Sequence, residues 1–211
     1  NTTKNFDSYI SQEEKTSALN IWVIMAQEEL SDTNTHPYSK QWRSNSLAKK
    51  LALRGHNITR WVSSFSHQKK THLTYYSAVD HVDGYKIQFI KTSSYVNNIG
   101  FSRILSHIRL GIEFYNIAKS SNRPDLIHIS SVPLELAESV IRFSKRQNIP
   151  VIIDIRDLWP DSYVDLVPYK FTVIKPILRF LVKHIYKIRL RKMFSHATGI
   201  SALTESYLKW G

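Results

Sequence analysis

Apolar runs alternate with amphipathic segments along most of the chain. Leu19–Ala26 is a continuous apolar run, and its length and β-branched content predict a strand buried on both faces. The polar residues 1–18 ahead of it predict a flexible arm. Shorter apolar segments predict five more strands, at residues 57–63, 85–92, 125–130, 150–155 and 197–201. Apolar residues at helical spacing predict helices at 42–54, 99–118, 133–147 and 175–194, with a last helix beginning near 204.

Strands that alternate with helices predict a parallel, doubly wound α/β sheet with helices on both faces, formed by residues 19–211 as one domain. In such sheets the functional groups gather outside the carboxyl ends of the strands. Because the chain ends at Gly211, just after a helix has begun, we expect it to be part of a longer protein. The segments at the strand ends are 27–41, 63–72, 92–103, 130–134 and 154–165.

Composition and missing motifs exclude several kinds of site. The chain has no Cys, which excludes disulfides, Cys-ligated metals and a thiol nucleophile. No Gly follows the first predicted strand until Gly55, so a dinucleotide-binding loop is excluded, and the phosphate-binding loop, H-E-x-x-H and G-x-S-x-G motifs are missing as well. We therefore predict no cofactor and no metal. No apolar run approaches the length of a membrane span.

Positive charge is concentrated towards the C-terminal end. The chain has 29 Lys and Arg against 17 Asp and Glu, a net charge of +12, and no acidic residue lies between Leu166 and Thr204. The predicted helix 175–194 is suited to binding an anionic membrane surface. In the alternative, it packs on the domain and its cationic face is simply solvated. No nucleic-acid-binding motif accompanies it, so we predict no nucleic-acid partner. Its cationic stripe consists of Lys175, Arg179, Lys183, Lys187 and Arg191, and its predicted packed face of Ile174, Ile177, Leu178, Leu181, Ile185 and Ile188.

The densest polar cluster is the segment DIRDLWPD, which begins at Asp154 and follows a strongly apolar predicted strand. Its carboxylates and the Arg156 guanidinium are suited to positioning sugar hydroxyls, and Trp159 is suited to stacking on a sugar. In the alternative, Arg156 pairs with a neighbouring Asp and Trp159 fills the core. The carboxylates of the cluster are Asp154, Asp157 and Asp161.

Weaker candidates follow the other predicted strands. His67, Lys69 and Lys70 form either a phosphate site or a solvated basic loop. The hydroxyl groups of Ser130 and Ser131 are suited to donating hydrogen bonds to a substrate. In the alternative, Ser131 caps the next helix. Four further residues form either the rim of a cleft or an ordinary loop and helix surface: Asn97, Asn98, Arg103 and His107. His128 lies inside a predicted strand, which favours a role as a hydrogen-bonded core histidine.

Together these segments resemble the N-terminal domain of glycosyltransferase family 4, whose members are retaining enzymes of the GT-B fold. The resembling segments are 47–67, 124–131, 150–168 and 197–211, and PDLIHISS followed by DIRDLWPD is the most specific part. The subgroup that it resembles builds bacterial O-antigen, capsule or similar polysaccharides. The resemblance implies a Rossmann-like domain that is one half of a GT-B fold. This chain departs from many relatives in having THPYSKQWRS instead of a Gly-Gly pair, and Ser130 instead of a second His.

The resemblance also implies a division of labour. The N-terminal half receives the acceptor, a polyprenyl-diphosphate-linked saccharide, and the C-terminal half, which this chain lacks, holds most of the nucleotide-sugar donor. We therefore expect the chain alone to be inactive, and the whole enzyme to be cytoplasmic and peripheral on the inner face of the membrane. A non-catalytic basic module that binds an anionic membrane or another polyanion is the alternative. The implied catalytic residues are Arg156 and Asp157, and the implied substrate-binding residues are His67, Lys69, Lys70, Asn98, Arg103, Ser130, Ser131, Trp159 and Asp161.

Overall fold

The computed structural model describes residues 17–28, 42–73, 79–80, 83–95, 101–157 and 175–210. The strands in these ranges are β1 (Asn20–Ile24), β2 (Asn57–Ser63), β3 (Phe65–Ser66), β4 (Thr71–His72), β5 (Val79–Asp80), β6 (Lys86–Ile90), β7 (Leu126–Ser130), β8 (Val151–Ile155) and β9 (Gly199–Ala202). The helices are α1 (Arg43–Leu53), α2 (Phe101–Ser120), α3 (Leu134–Gln147), α4 (Lys175–Phe194) and α5 (Glu205–Trp210).

The strands of the main sheet have the order β5-β6-β2-β1-β7-β8-β9. The chain moves outward from β1 to β2 and β6, then crosses back to β7 on the other side of β1. All pairs are parallel except β5 with β6. The predicted doubly wound, Rossmann-like α/β fold is therefore confirmed, and the reversal of strand order lies at β1 and β7, where such sheets bind ligands.

All six predicted strands are present, but three short ones were not predicted. β3 and β4 form a two-residue antiparallel hairpin within what the sequence indicated as a loop, and β5 adds an antiparallel edge. Strands of two residues are too short to show an alternating pattern, which explains why the sequence analysis missed them.

Helices cover both faces of the sheet. α1 packs on one face through Ala48, over Ile21, Val23 and Ile58. On the opposite face, α2, α3 and α4 enclose a larger cluster centred on Trp22, whose ring stacks on Phe143 at 5.6 Å between centroids. Aromatic burial of this kind supplies much of the packing energy of a domain.

α2 and α3 approach each other closely at Gly111. A Cβ at this position would lie 2.7 Å from the Ser139 hydroxyl oxygen and 2.8 Å from the Glu135 carbonyl oxygen. Gly111 is therefore required by packing rather than by backbone conformation.

The predicted packed face of α4 is wrong at Ile185 and Ile188, and the side chains of its other four residues lie outside the described set. Ile185 and Ile188 are 54% and 57% exposed, whereas Leu190 and Met193 are buried in the core. α4 contacts α3 along this second face, where Arg189 donates hydrogen bonds to Glu138. Helical spacing identified an amphipathic helix, but α4 carries apolar residues on more than one side, and tertiary packing selected between them. None of the helices in the described ranges is long and apolar enough to cross a membrane.

Candidate functional site

A cavity of about 260 Å³ opens at the carboxyl ends of β1, β7 and β8. Its walls come from residues that follow different strands, because the carboxyl ends of parallel strands meet at one edge of the sheet. The lining includes the side chains of Gln27, Glu28, Trp42, Ser130, Arg156 and Asp157. The sequence-predicted pair Arg156 and Asp157 therefore lies in an open pocket.

Arg156 is anchored in the wall of this cavity by two carboxylates. Its Nη1 contacts Oε1 of Glu28, and its Nε lies 3.8 Å from Oδ2 of Asp154. Burial lowers the pKa of Arg156, although the charge of Asp157 acts in the opposite direction. The Arg156 side chain is 22% exposed, and Asp157 is exposed. Arg156 therefore pairs with a neighbouring Asp, as the alternative interpretation expected, and it also lines the cavity, whereas its role in positioning sugar hydroxyls stays a prediction. Trp159 and Asp161 lie outside the described residues.

Asp154 does not position a substrate, which corrects the sequence prediction. Its side chain is fully buried, with Oδ1 2.9 Å from Nη2 of Arg43. The Ser201 hydroxyl donates to the same oxygen at 2.7 Å. Asp154 alternates with Ile153 and Ile155 along β8 and so faces α1, where its charge is paired. Its role is to connect α1, β8 and β9.

A buried polar network around Glu28 was missed by the sequence analysis. The Ser44 backbone N–H and hydroxyl both donate to Oε2 of Glu28, the former at 3.1 Å. Arg60 Nε donates to the Ser44 hydroxyl at 3.0 Å, and Arg60 Nη2 donates to the Glu28 carbonyl at 3.3 Å. Burial lowers the pKa of Arg60 to about 10. A charged residue in the middle of a buried strand was a usable signal, because such a residue requires buried partners.

A second part of the site is a cluster of basic side chains around Tyr95. Nδ1 of His67 lies 2.5 Å from the Tyr95 hydroxyl, and Nζ of Lys70 lies 4.6 Å from the centroid of the Tyr95 ring. The pKa of His67 is lowered to about 4. Burial is the largest cause, and the positive charges of Lys70, Arg103 and His107 contribute the rest. The structure thus brings His67, Lys70 and Arg103 together, and their use as a phosphate site stays a prediction.

The turn between β3 and β4 presents this cluster. Lys70 has a φ of 55°, a left-handed conformation that is unusual for a residue with a side chain. Burial and the charge of Arg103 lower the pKa of Lys70. Lys69 is exposed, and Asn97 and Asn98 lie outside the described residues.

Gln27 connects the cavity with the basic cluster. Its Nε2 lies 3.0 Å from Nε2 of His107, and Nδ1 of His107 lies 3.7 Å from the Glu135 carboxylate. Burial would raise the pKa of Glu135, but the contact with His107, a backbone hydrogen bond and the charge of Arg189 together lower it. His107 therefore lies between a carboxylate and the cavity wall.

The remaining sequence candidates have mixed outcomes. Ser130 lines the cavity, and its hydroxyl accepts from the Val132 backbone N–H at 3.3 Å. The capping prediction for Ser131 is wrong, because Pro133 occupies the N-cap of α3 without a side-chain hydrogen bond. The Ser131 hydroxyl is instead buried, with no partner in the described part of the chain. His128 is only half satisfied as a core histidine, since its Nε2 lies 3.5 Å from the Ser201 hydroxyl, whereas its buried Nδ1 has no partner within the described ranges. Burial lowers the pKa of His128.

The cationic stripe on α4 is described in part. Lys187 and Arg191 are exposed and Lys183 is half-buried, whereas the side chains of Lys175 and Arg179 lie outside the described set. In the described ranges, no three potential metal ligands lie together.

Comparison with solved structures gives UGT89C1 of Arabidopsis thaliana, a GT-B glycosyltransferase whose crystal structure is a complex with UDP. The two chains superpose with a TM-score of 0.50 at 12% identity. The match covers 92% of this chain and 47% of the plant protein, so the chain spans about half the length of that enzyme. Neither the comparison with protein-family models nor that with curated proteins gives a match. At this identity the likeness shows the fold alone: the chain has the Rossmann-like α/β fold found in GT-B glycosyltransferases.

Proposed function

We propose that the chain is the acceptor-binding domain of a retaining glycosyltransferase. The observation that carries this proposal is the junction of a polar cavity with a basic cluster through Gln27 and His107. A glycan linked to a lipid diphosphate has two such parts, hydroxyl groups and a dianionic diphosphate. The GT-B-like fold supports sugar transfer as the general class of reaction.

In the proposed reaction, an acceptor hydroxyl oxygen forms a bond to the anomeric carbon of the donor sugar. The bond from that carbon to the nucleoside diphosphate breaks, the departing phosphate takes the hydroxyl proton, and the anomeric configuration is retained. Arg156 and Asp157 orient the sugar hydroxyls in the cavity, and Ser130 adds a hydroxyl to its wall. Glu28 holds Arg156 in position.

Lys70 and Arg103 are proposed to bind the acceptor diphosphate. Hydrogen bonds between cations and phosphate oxygens are charge-assisted and therefore strong. His67, with its low pKa, is neutral at pH 7 and offers ring nitrogens rather than charge. Exposed Lys69 extends the same site. The other proposed contacts of the acceptor are Asn98, Trp159 and Asp161, whereas Ser131, whose hydroxyl is buried outside the cavity lining, is no longer proposed as a contact.

The donor is proposed to be a nucleotide sugar, held mainly by a second, C-terminal half. UDP in the plant glycosyltransferase structure is consistent with a nucleotide donor. We propose that the complete enzyme contributes to bacterial surface polysaccharide synthesis. In this proposal it lies on the cytoplasmic face of the membrane, where the cationic stripe of α4 contacts anionic lipid.

Binding of a short-chain prenyl-diphosphate-linked saccharide to this chain tests the acceptor site. We expect the double variant Lys70→Ala, Arg103→Ala to weaken the affinity at least tenfold in calorimetry, because two cationic partners are lost. The control variant Lys50→Ala, Arg54→Ala removes the same charge from exposed positions on and next to α1, and we expect it to bind normally. Equal affinities of all three proteins would contradict the acceptor assignment.

Transfer in the complete enzyme tests the catalytic residues. We expect Asp157→Ala to abolish transfer while the urea unfolding midpoint stays unchanged, because Asp157 is exposed in the cavity. Unchanged turnover would remove Asp157 from the mechanism.

A further inference from the structure

A cleft of about 300 Å³ lies between α3 and α4, and it shares no lining residue with the cavity. Arg142 and Lys145 line it from α3, and Lys192 lines it from α4. His196, just beyond the end of α4, completes the basic lining. The cleft therefore brings several basic side chains of two helices together.

The acidic residue in the lining does not neutralise these cations. Both carboxylate oxygens of Glu138 are engaged by Arg189, with Nε to Oε1 at 2.8 Å and Nη2 to Oε2 at 2.7 Å. This hydrogen bonding is the largest cause of the raised pKa of Arg189. Arg142, Lys145 and Lys192 have no ion-pair partner within the described ranges. The cleft thus keeps a net positive charge.

The helix dipoles explain only part of this arrangement. Lys145 and Lys192 are in the last turns of their helices, where a cation is favoured. Arg142 lies one turn earlier, and the dipoles do not require the two helices to direct their cations at a shared cleft. An anion with several oxygens, such as a phosphate group, would relieve the repulsion through hydrogen bonds from Arg and Lys.

Exposed aliphatic side chains continue from the cleft along α4. Ile185 and Ile188 precede Lys192 by seven and four residues, so the three side chains lie on one side of the helix. Both isoleucines are more than half exposed. A phosphate site that runs into an aliphatic strip matches an amphiphile, in which a charged headgroup adjoins an acyl chain.

We infer that the α3–α4 cleft binds the phosphate of an anionic phospholipid headgroup. This inference rests on the membrane association proposed above, but it moves the headgroup contact to a different side of α4 from Lys187 and Arg191. On a helical projection these two residues lie more than 90° away from Lys192. The cleft therefore gives α4 a specific lipid contact in addition to a diffuse cationic stripe.

Co-sedimentation with vesicles of phosphatidylcholine, with and without phosphatidylglycerol, tests the inference. Two double variants each remove two positive charges. The cleft variant is Lys145→Gln, Lys192→Gln, on α3 and α4, and the stripe variant is Lys187→Gln, Arg191→Gln, on α4 alone. We expect the cleft variant to bind anionic vesicles at least tenfold more weakly than the wild type, and the stripe variant less than threefold. Equal urea unfolding midpoints verify that both variants fold.

Three results would overturn the inference. Equal losses in the two variants would show general electrostatic attraction, and a greater loss in the stripe variant would leave the membrane association standing without the cleft. Absence of wild-type binding to anionic vesicles would contradict a lipid ligand altogether.

Titration with inorganic phosphate, followed by the amide NMR shifts of α3 and α4, separates the two sources of phosphate. Cleft-specific shifts without vesicle binding would assign the site to a soluble phosphate and contradict the headgroup.

Discussion

The side-chain amide of Gln27 lies 3.0 Å from Nε2 of His107, and this contact connects the strand-end cavity with the basic cluster. An amide nitrogen only donates, so Nε2 of His107 accepts, and the neutral ring carries its proton on Nδ1, which faces Glu135. The tautomer of one histidine is thus set by one residue from the turn after β1 and one from α3.

This relationship predicts a change of tautomer when Gln27 is replaced. In Gln27→Leu, Nε2 of His107 loses its donor, so we expect a mixture of the two neutral forms where the wild type has the Nδ1–H form. Ring ¹⁵N chemical shifts measure the populations. The matched variant Gln88→Leu removes an amide that, within the described ranges, donates to the neighbouring Phe89 carbonyl, and it should leave His107 unchanged. The same tautomer population in all three proteins would show that Gln27 does not control the ring.

The pKa of His67, about 4, predicts a loss of stability in mild acid. The unfolded chain binds a proton at His67 near pH 6.5, whereas the folded chain does so only near pH 4. The contribution of His67 to stability is therefore complete above pH 6.5 and decreases as the pH falls from 6.5 towards 4. NMR titration of the ring measures this pKa directly.

Removing a neighbouring charge should move the pKa of His67 in a defined direction. We expect Lys70→Ala to raise the pKa, because a positive charge that disfavours protonation is lost. The recovery is only partial, since burial is the largest cause of the low value. Lys50→Ala, at an exposed position of α1 that does not contribute to the pKa of His67, is the control and should have no effect. A pKa that stays near 4 in Lys70→Ala would contradict the assigned contribution of Lys70.

The buried Asp154 carboxylate predicts a large loss of stability when it is removed. Asp154→Ala leaves the Ser201 hydroxyl and the partly exposed Arg43 without their acceptor, and losing the partner of such groups costs about 1–3 kcal/mol. Glu205→Ala breaks the exposed pair with Lys209 and should cost less than about 0.5 kcal/mol. Urea unfolding of both variants gives the two free energies. Similar small losses would show that the Asp154 carboxylate is not an integral part of the fold.

Gly111 and Gly199 predict opposite outcomes for the same substitution. Gly111→Ala places a methyl group 2.8 Å from the Glu135 carbonyl oxygen, and we expect it to destabilise the protein by about 1–3 kcal/mol despite the helix-favouring Ala. Gly199→Ala meets only Ile152 at 3.8 Å, an ordinary contact, and should be neutral or slightly stabilising. Chemical denaturation distinguishes these results, and a stable Gly111→Ala protein would disprove the close contact between α2 and α3.

The positions of the main strands follow from local pattern. Ile21, Val23 and Ile127 lie in short apolar runs whose length and flanking residues distinguish strands from helices without tertiary information. Even the open cavity at Arg156 and Asp157 was predictable, because the carboxyl ends of parallel strands meet at one edge. The same reasoning placed Asp154 in that cavity and was wrong, since one residue along β8 reverses the face to which a side chain points.

By itself, the sequence determined the strand and helix positions, the doubly wound class and the strand ends that carry polar groups, because these depend on spacing along the chain. The tertiary structure alone decided which distant residues meet. Glu28 and Arg156 are more than a hundred residues apart, and no periodicity relates them. Ile185 and Leu190 are both apolar on α4, but only the fit against α3 selects Leu190 for the core. Partner choice and burial are properties of packed surfaces, which arise only when the elements are assembled.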